Sequence, residues 1–310
     1  MTEIDLQRTN NLIDPNLHIW GWEIPVYLFL GGMTAGVMIL SALLGARLPA
    51  SARSRAGRLL PFAAPVLLSL GMLALFLDLS FKLHVYRFYT AFRWSSPMSW
   101  GSWILVLIYP ATILLGLAEL TDAELRSAGR ALRLEGLLRR LRSLVAGREP
   151  ALRWANIALG IGLGAYTGIL LGTLGARPAW SSAVLAPLFL VSGLSTGAAL
   201  MMLFSPSHDE HLLLRRWDIG AVVVELALLG LFLLGLATGG AGSQEAARLF
   251  LGGRFTAAFW ALVVIAGLTV PLLIEAFEGR RALRPTVVAP ALLLLGGLSL
   301  RWILVLAGQV

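Results

Sequence analysis

Eight stretches of predominantly apolar residues, separated by polar connections, occupy most of this 310-residue sequence. Each reaches the roughly 20 residues that a helix needs to cross the hydrocarbon layer of a membrane. The apolar residues follow one another without the alternation of β-barrel strands. The pattern therefore predicts an all-α integral membrane protein with eight transmembrane helices. We place these helices at residues 22–46, 59–83, 99–120, 154–175, 180–204, 217–239, 255–277 and 286–308.

The longest polar connection, residues 121–153, predicts an amphipathic linker on the membrane surface. Thr121 and Glu124 have the spacing of a helix-capping box. The leucines that follow recur at helical spacing beside several arginines: Leu134, Leu137, Leu138, Leu141 and Leu144. We expect two four-helix halves. Along the chain we expect a periplasmic N-terminal segment (1–21), helices 1–3 (22–120), this cytoplasmic linker (121–153) and helices 4–8 (154–310).

Arginine is concentrated in the connections after predicted helices 1, 3, 5 and 7. The positive-inside rule places these connections in the cytoplasm and both termini outside, in the periplasm of a bacterium with a multi-pass protein in its inner membrane. The net charge of +8 is then explained by inner loops that face anionic membrane lipid. Composition agrees with this class, with 57% hydrophobic and 14% charged residues. No nucleic-acid partner is predicted.

The residues that bind redox metals are scarce in this sequence. It contains no cysteine, so no iron–sulfur cluster held by thiolates is expected in this chain. Of its four histidines, His18, His208 and His211 lie outside the predicted helices and His84 lies at the outer end of helix 2. Haem is therefore not expected either, and no spacing typical of a metal or phosphate site is present.

A charged residue inside a membrane helix has a high free-energy cost, so it usually has an oppositely charged or polar partner, or a function. At 1.5 Å per residue, Asp78 and Arg301 lie about 24 Å from the inner ends of their helices, near the outer surface. Several polar residues fall at a similar height: Glu23, Tyr27, Lys82, His84 and Tyr166. This group predicts an outer polar pocket, although Asp78 and Arg301 are also compatible with a purely structural ion pair.

A second group of acids lies closer to the inner face. Glu225 is about 12 Å from that face, too deep to reach water, which favours a functional role. Glu119 and Glu275 lie near inner helix ends, where carboxylates often snorkel to the surface. We interpret this group as the start of a water or proton route, with snorkelling as the alternative for the last two residues.

The outer connection between predicted helices 2 and 3 is rich in aromatic residues. They suit an interfacial belt, or a floor for a flat ring or a docked partner. Glycines recur at intervals of four in helix 4 and at Gly32 and Gly36 in helix 1, a spacing that lets helix backbones approach closely.

Several segments resemble the membrane subunits of the NrfD and polysulfide-reductase type. One is the run WGWEIPVYLFLGG at 20–32, and the most specific is SPMSWGSW at 96–103. Further likeness lies in AYTG at 165–168, RPAW at 177–180, Arg301 and LAGQ at 306–309. The resemblance extends over all eight predicted helices.

The resemblance implies a haem-free, quinone-binding membrane anchor subunit of a respiratory oxidoreductase complex. Such a subunit exchanges electrons between menaquinone or ubiquinone and a periplasmic four-cluster iron–sulfur subunit, with associated proton transfer. Through that partner it connects to a molybdopterin or other redox catalytic subunit, which holds the terminal-substrate site.

Site residues follow from the resemblance position by position. A quinone-binding tyrosine of the family corresponds to Tyr166 and an acidic residue of helix 2 to Asp78, whereas a family histidine is replaced here by Tyr27. We expect Tyr27, Asp78 and Tyr166 to be catalytic. The expected quinone-binding set is Trp22, Glu23, Tyr27, Asp78, His84 and Tyr166. Glu225 and Arg301 are expected to belong to a proton path.

Two other classes of protein share some of these features. A secondary transporter also carries charges in a helical bundle, but it usually has interrupted helices around a midplane site. A pure membrane anchor without a redox role explains an outer docking loop but not Asp78 or Glu225.

Overall fold

The computed structural model describes residues 20–79, 81–90, 92–173, 177–204, 207–281 and 286–310. Within these ranges it contains eight helices long and apolar enough to cross a membrane, and no β-strand, which confirms the predicted class. They are α1 (Glu23–Arg47), α2 (Arg55–Asp78), α3 (Pro97–Glu119), α4 (Glu149–Gly172), α5 (Leu185–Leu203), α6 (His208–Thr238), α7 (Thr256–Gly279) and α8 (Val288–Ala307). His18 and most of the predicted N-terminal segment lie outside the described residues.

α1 is the central helix and packs against α2, α4, α5 and α8. Its contact with α5 is close because glycines face each other. A Cβ atom at Gly36 would lie 2.1 Å from the carbonyl oxygen of Gly193. A Cβ atom at Gly193 would in turn lie 2.5 Å from the carbonyl oxygen of Gly32. The prediction that Gly32 and Gly36 permit close helix packing is confirmed, and α1 thereby joins α5 of the second half.

Two of the transmembrane helices are irregular. α2 starts as a short helix, Arg55–Leu59, passes through a 3₁₀ turn at Leu60–Phe62 and continues as Ala63–Asp78. α7 is a π-helix over Phe259–Thr269, directly before Pro271. Proline lacks an N–H and its ring crowds the carbonyl four residues earlier, so a wider turn relieves the clash.

α6 begins well before the predicted start at residue 217. Ser207 and Glu210 form a capping box, which fixes the first turn at His208. The buried Glu210 also accepts a hydrogen bond from the Ser54 N–H at 3.2 Å, which ties the α1–α2 connection to the start of α6.

Two amphipathic helices, Asp122–Leu132 and Glu135–Val145, form the linker after α3. The predicted capping box of Thr121 and Glu124 is confirmed. Leu138 and Leu141 pack against a small apolar cluster that includes Leu125. Four other leucines of the linker have exposed side chains: Leu132, Leu134, Leu137 and Leu144. This arrangement leaves an apolar stripe at the surface, as a membrane-surface helix needs.

Glu119, at the end of α3, does not snorkel. It is buried and contacts Arg53, while Arg153 Nη2 lies 3.1 Å from its carboxylate. The snorkelling interpretation is therefore wrong for Glu119, which instead joins the α1–α2 connection to the start of α4. A depth estimate could not foresee this because the two arginines come from other segments of the chain.

A pH-dependent contribution to stability is expected from the Glu124–Arg58 pair. Arg58 Nη2 and Nε donate to the Glu124 carboxylate at 2.7 and 3.0 Å, and these bonds lower the pKa of Glu124 from 4.5 to about 2. Because the folded-state pKa is depressed, the stabilisation is complete above pH 4.5 and disappears as the pH falls towards 2. Glu124→Gln should remove about 0.5–1 kcal/mol at neutral pH and little in acid, measured by thermal unfolding in detergent. An equal loss at both pH values would contradict this assignment.

Candidate functional site

A cavity of about 540 Å³ lies among α1–α4, at the end of the bundle where α1 begins. We call it the α1–α4 cavity. Its walls are mainly apolar, with Leu28, Met72, Phe76 and Leu105 among them. Polar side chains line it at a few points: Tyr27, Ser69, Asp78, Tyr89, Ser102 and Tyr166. An apolar cavity with a few convergent polar groups is typical of a site for a small organic ligand.

Three of the predicted site residues, Tyr27, Asp78 and Tyr166, meet in this cavity. The other three predicted quinone-binding residues are not among those that line it. Trp22 is half exposed, with 51% of its surface accessible, and His84 is exposed beside Phe81 and Tyr86. Glu23, the third, lies within electrostatic range of Asp78.

The buried end of the cavity is formed by Tyr27 of α1 and Tyr166 of α4. Both side chains are buried and close enough to interact electrostatically. The ring of Tyr166 lies directly against Gly101, where a Cβ atom would be 2.0 Å from Cζ. The SPMSWGSW segment therefore needs its glycine at this position, because any side chain would displace Tyr166.

The Gly101 contact gives a testable prediction. Gly101→Ala should displace Tyr166 and lower the free energy of unfolding by about 1–3 kcal/mol, as overpacking usually does. We also expect about tenfold weaker binding at the cavity, measured by ligand titration. Gly136→Ala is the matched control, because a Cβ atom there has no neighbour within 4 Å. Equal effects of the two substitutions would refute the assigned role of Gly101.

Tyr89 and Trp20 also line the cavity and were not predicted as site residues. Tyr89 belongs to a short helix, Arg87–Thr90, in the connection between α2 and α3. Burial, assisted by nearby Tyr109, raises the pKa of the Tyr89 hydroxyl above 10, so Tyr89 remains a hydrogen-bond donor at neutral pH. Its signal in the sequence was the aromatic run, which was interpreted as a belt or floor.

Asp78 is half-buried at the end of α2, where Glu23 and Lys82 lie nearby. The alternative interpretation, that Asp78 and Arg301 form a structural ion pair, is wrong. Arg301 is fully buried and donates to Ser192 Oγ at 2.5 Å and to the carbonyl oxygens of Gly297 and Phe189 at 3.0 and 3.2 Å. The Arg301 guanidinium lies beside Gly32, nine residues into α1, whereas Asp78 lies near Glu23 at the start of that helix, so the two side chains have different neighbours.

A second polar group lies inside the C-terminal half. We call it the α5–α8 polar cluster, and its members are Ser192, Ser195, Asp218, Glu225, Glu275 and Arg301. Every member is buried. Glu225 lies beside Ser192 and within electrostatic range of Arg301, so Ser192 connects the acid to the guanidinium. Arg301 also lies over the ring of Phe189, at 5.3 Å.

One part of this cluster consists of two adjacent carboxylates. Asp218 lies beside Glu275 and Ser195. Among the described residues, no group forms a hydrogen bond of standard geometry with the carboxylate oxygens of Asp218 or Glu275. Glu275 is buried, so the snorkelling interpretation is wrong for it as well. Asp218 was not predicted as a site residue: it comes two residues after Arg216, at the very start of predicted helix 6.

Comparison with known proteins gives matches along nearly the whole chain. The profile of the polysulphide reductase NrfD family matches residues 10–310. Protein NrfD of Escherichia coli (strain K12) is 33% identical, covering 94% of this chain and 95% of that protein. One chain of the polysulfide reductase of Wolinella succinogenes is 29% identical, covering 95% of both proteins. One subunit of the selenate reductase of Mesobacillus selenatarsenatis is 28% identical, covering 94% of this chain and 74% of that protein.

Proposed function

The chain belongs to the NrfD polysulphide reductase family of multi-pass membrane subunits of oxidoreductase complexes, and from this premise we propose that it exchanges electrons with a membrane quinone. The quinone, menaquinone or ubiquinone, binds in the α1–α4 cavity. The other redox partner is a periplasmic four-cluster iron–sulfur subunit, which connects to a molybdopterin or other redox catalytic subunit. The end of the bundle that holds the cavity faces the periplasm.

The observation that carries this proposal is the composition of the cavity wall. A volume of about 540 Å³ is within the roughly 300–1,000 Å³ of ligand sites. The apolar wall suits a flat ring with a hydrocarbon tail, while Tyr27, Tyr166 and Asp78 offer groups that can bind carbonyl oxygens. Ser69, Leu73 and Phe76 extend the lining along α2.

A quinone supplies two-electron chemistry that is coupled to the uptake or release of protons. The residues of the chain have the complementary roles. The Tyr27 and Tyr166 hydroxyls donate hydrogen bonds and orient the ring at the buried end. Asp78, half-buried at the end of α2, passes protons between the cavity and the surface as a general acid and base.

The α5–α8 polar cluster is proposed to move protons inside the second half. Asp218 and Glu275 are buried side by side, so a proton can pass from one carboxyl group to the other. Glu225 and Ser192 then connect this pair to Arg301. Arg301 ends the route because it remains charged and repels a further proton.

The docking surface for the iron–sulfur subunit is proposed to be the aromatic rim around the cavity. Its exposed members are Trp22, Phe81, Tyr86, Phe92, Trp94 and Trp100. Large exposed aromatic side chains beside a pocket are typical of a protein interface. Because the sequence has no cysteine, the thiolate ligands of any cluster at this rim come from the partner.

Gentle detergent purification of the tagged chain tests the proposal. We expect an iron–sulfur protein to be identified by mass spectrometry and near-stoichiometric quinone to be extracted with the complex. An iron–sulfur partner without quinone would favour a pure membrane anchor. A folded protein without either would refute the proposal and favour a transporter.

A further inference from the structure

The residues that follow α8 contact the wall of the α1–α4 cavity through the amide side chain of Gln309. Gln309 is buried, and its Oε1 accepts a hydrogen bond from the Trp20 N–H at 2.9 Å. Its Nε2 donates to the Trp20 carbonyl oxygen at 3.1 Å. Both backbone groups of Trp20 are thus held by a residue 289 positions later in the chain.

Trp20 is held on its other side by Trp180. The two indole rings are stacked, with centroids 5.0 Å apart. Trp180 is itself fixed by its Nε1, which donates to the Leu304 carbonyl oxygen at 2.8 Å. Its ring occupies the space above Gly308, where a Cβ atom would lie 2.0 Å from the ring. The RPAW and LAGQ segments therefore meet at this one contact.

We propose that Gln309 is a positioning residue for the quinone site: it fixes Trp20, and through Trp20 one wall of the α1–α4 cavity. The proposal rests on the function proposed above. Its physical basis is preorganisation, because a wall that is fixed before binding spares the ligand the cost of ordering it. Without the two hydrogen bonds, the backbone of Trp20 is no longer fixed, and only the stacking on Trp180 holds its ring, so Trp20 must be ordered when the ligand enters.

Gln309→Met tests this role, because methionine keeps the length of the side chain and tolerates burial but makes neither hydrogen bond. We expect the dissociation constants of menadione and decylubiquinone, followed by tryptophan fluorescence quenching, to rise about tenfold. In the full complex the KM for the quinone should rise with kcat nearly unchanged. Amide hydrogen exchange at Trp20 should become faster.

Gln244→Met is the matched control. Gln244 also donates to a backbone carbonyl, that of Gly239 at 3.1 Å, but its side chain is exposed on the helix Ala241–Phe250. Neither quinone affinity nor exchange at Trp20 should change in this variant. Unchanged quinone affinity in Gln309→Met would overturn the inference alone, and so would unchanged exchange at Trp20. If the wild-type protein bound neither quinone, the proposed function would fail and the inference with it.

Discussion

Asp78→Asn is expected to lower quinone-linked turnover by a factor of about 100 or more while the complex still assembles. Asparagine keeps the shape and hydrogen-bonding capacity of the side chain but cannot take up or release a proton. Among the described residues, Asp78 is the carboxylate that lines the α1–α4 cavity, so the proposed proton route would lose its titrating group. Turnover with a reduced quinol and the native partner subunits measures the effect.

A matched control separates this role from a general effect of removing an acid. Asp122→Asn makes the same chemical change on the exposed linker, where Asp122 pairs with Arg142 at 2.8 Å. We expect normal turnover from that variant. The Asp78→Asn protein should also retain quinone affinity within a few-fold, because the neutral amide still binds. Normal turnover in Asp78→Asn, with assembly intact, would remove Asp78 from the mechanism.

The sequence determined the helices and three members of the cavity well, because both depend on local information. Hydropathy gives the length and number of the apolar segments. Residues such as Tyr27, Asp78 and Tyr166 could be placed at the cavity because the resemblance indicated their roles and counting residues gave their depth. Because the cavity lies at one end of the bundle, three residues at a similar depth on neighbouring helices could be expected to line it together.

Counting residues failed where the direction of a side chain around its helix mattered. Counting residues gives Asp78 and Arg301 similar depths. In the structure, however, Arg301 contacts Ser192 of α5 and lies near Glu225 of α6, whereas Asp78 lies near Glu23 at the start of α1. Glu119 and Glu275 were also misjudged because their burial depends on which neighbouring helix covers them. A helix that is apolar on all sides has no polar face to mark its outer surface, so such sequences carry little information about facing.

The contact between α1 and α5 lies close to Arg301. Gly32, opposite α5, also approaches Arg301, whose Nη2 would lie 3.0 Å from a Cβ atom placed there. The same helix, α1, carries Tyr27 at the cavity less than two turns earlier. α1 therefore lies between the α1–α4 cavity and the buried guanidinium, and a larger side chain at Gly32 should disturb both.

Removal of the Arg301 side chain is expected to destabilise the protein strongly. Arg301→Met deletes three hydrogen bonds and leaves Ser192 and Glu225 without their buried cation, which should lower the free energy of unfolding by about 3–5 kcal/mol. Thermal unfolding in detergent, followed by the monodisperse fraction, measures this loss. The same change at Arg140, which is exposed on the linker, should have little effect.

The double variant Arg301→Met with Glu225→Gln tests how the two charges depend on each other. Glutamine is neutral, so it does not need the cation that Arg301→Met removes, and we expect the double variant to be more stable than the sum of the single effects allows. Simple additivity would show that Arg301 and Glu225 act independently. Quinone-linked turnover of the double variant then distinguishes a structural role from a role in proton transfer. If the double variant regains stability but not turnover, Arg301 and Glu225 are assigned to the proposed proton path.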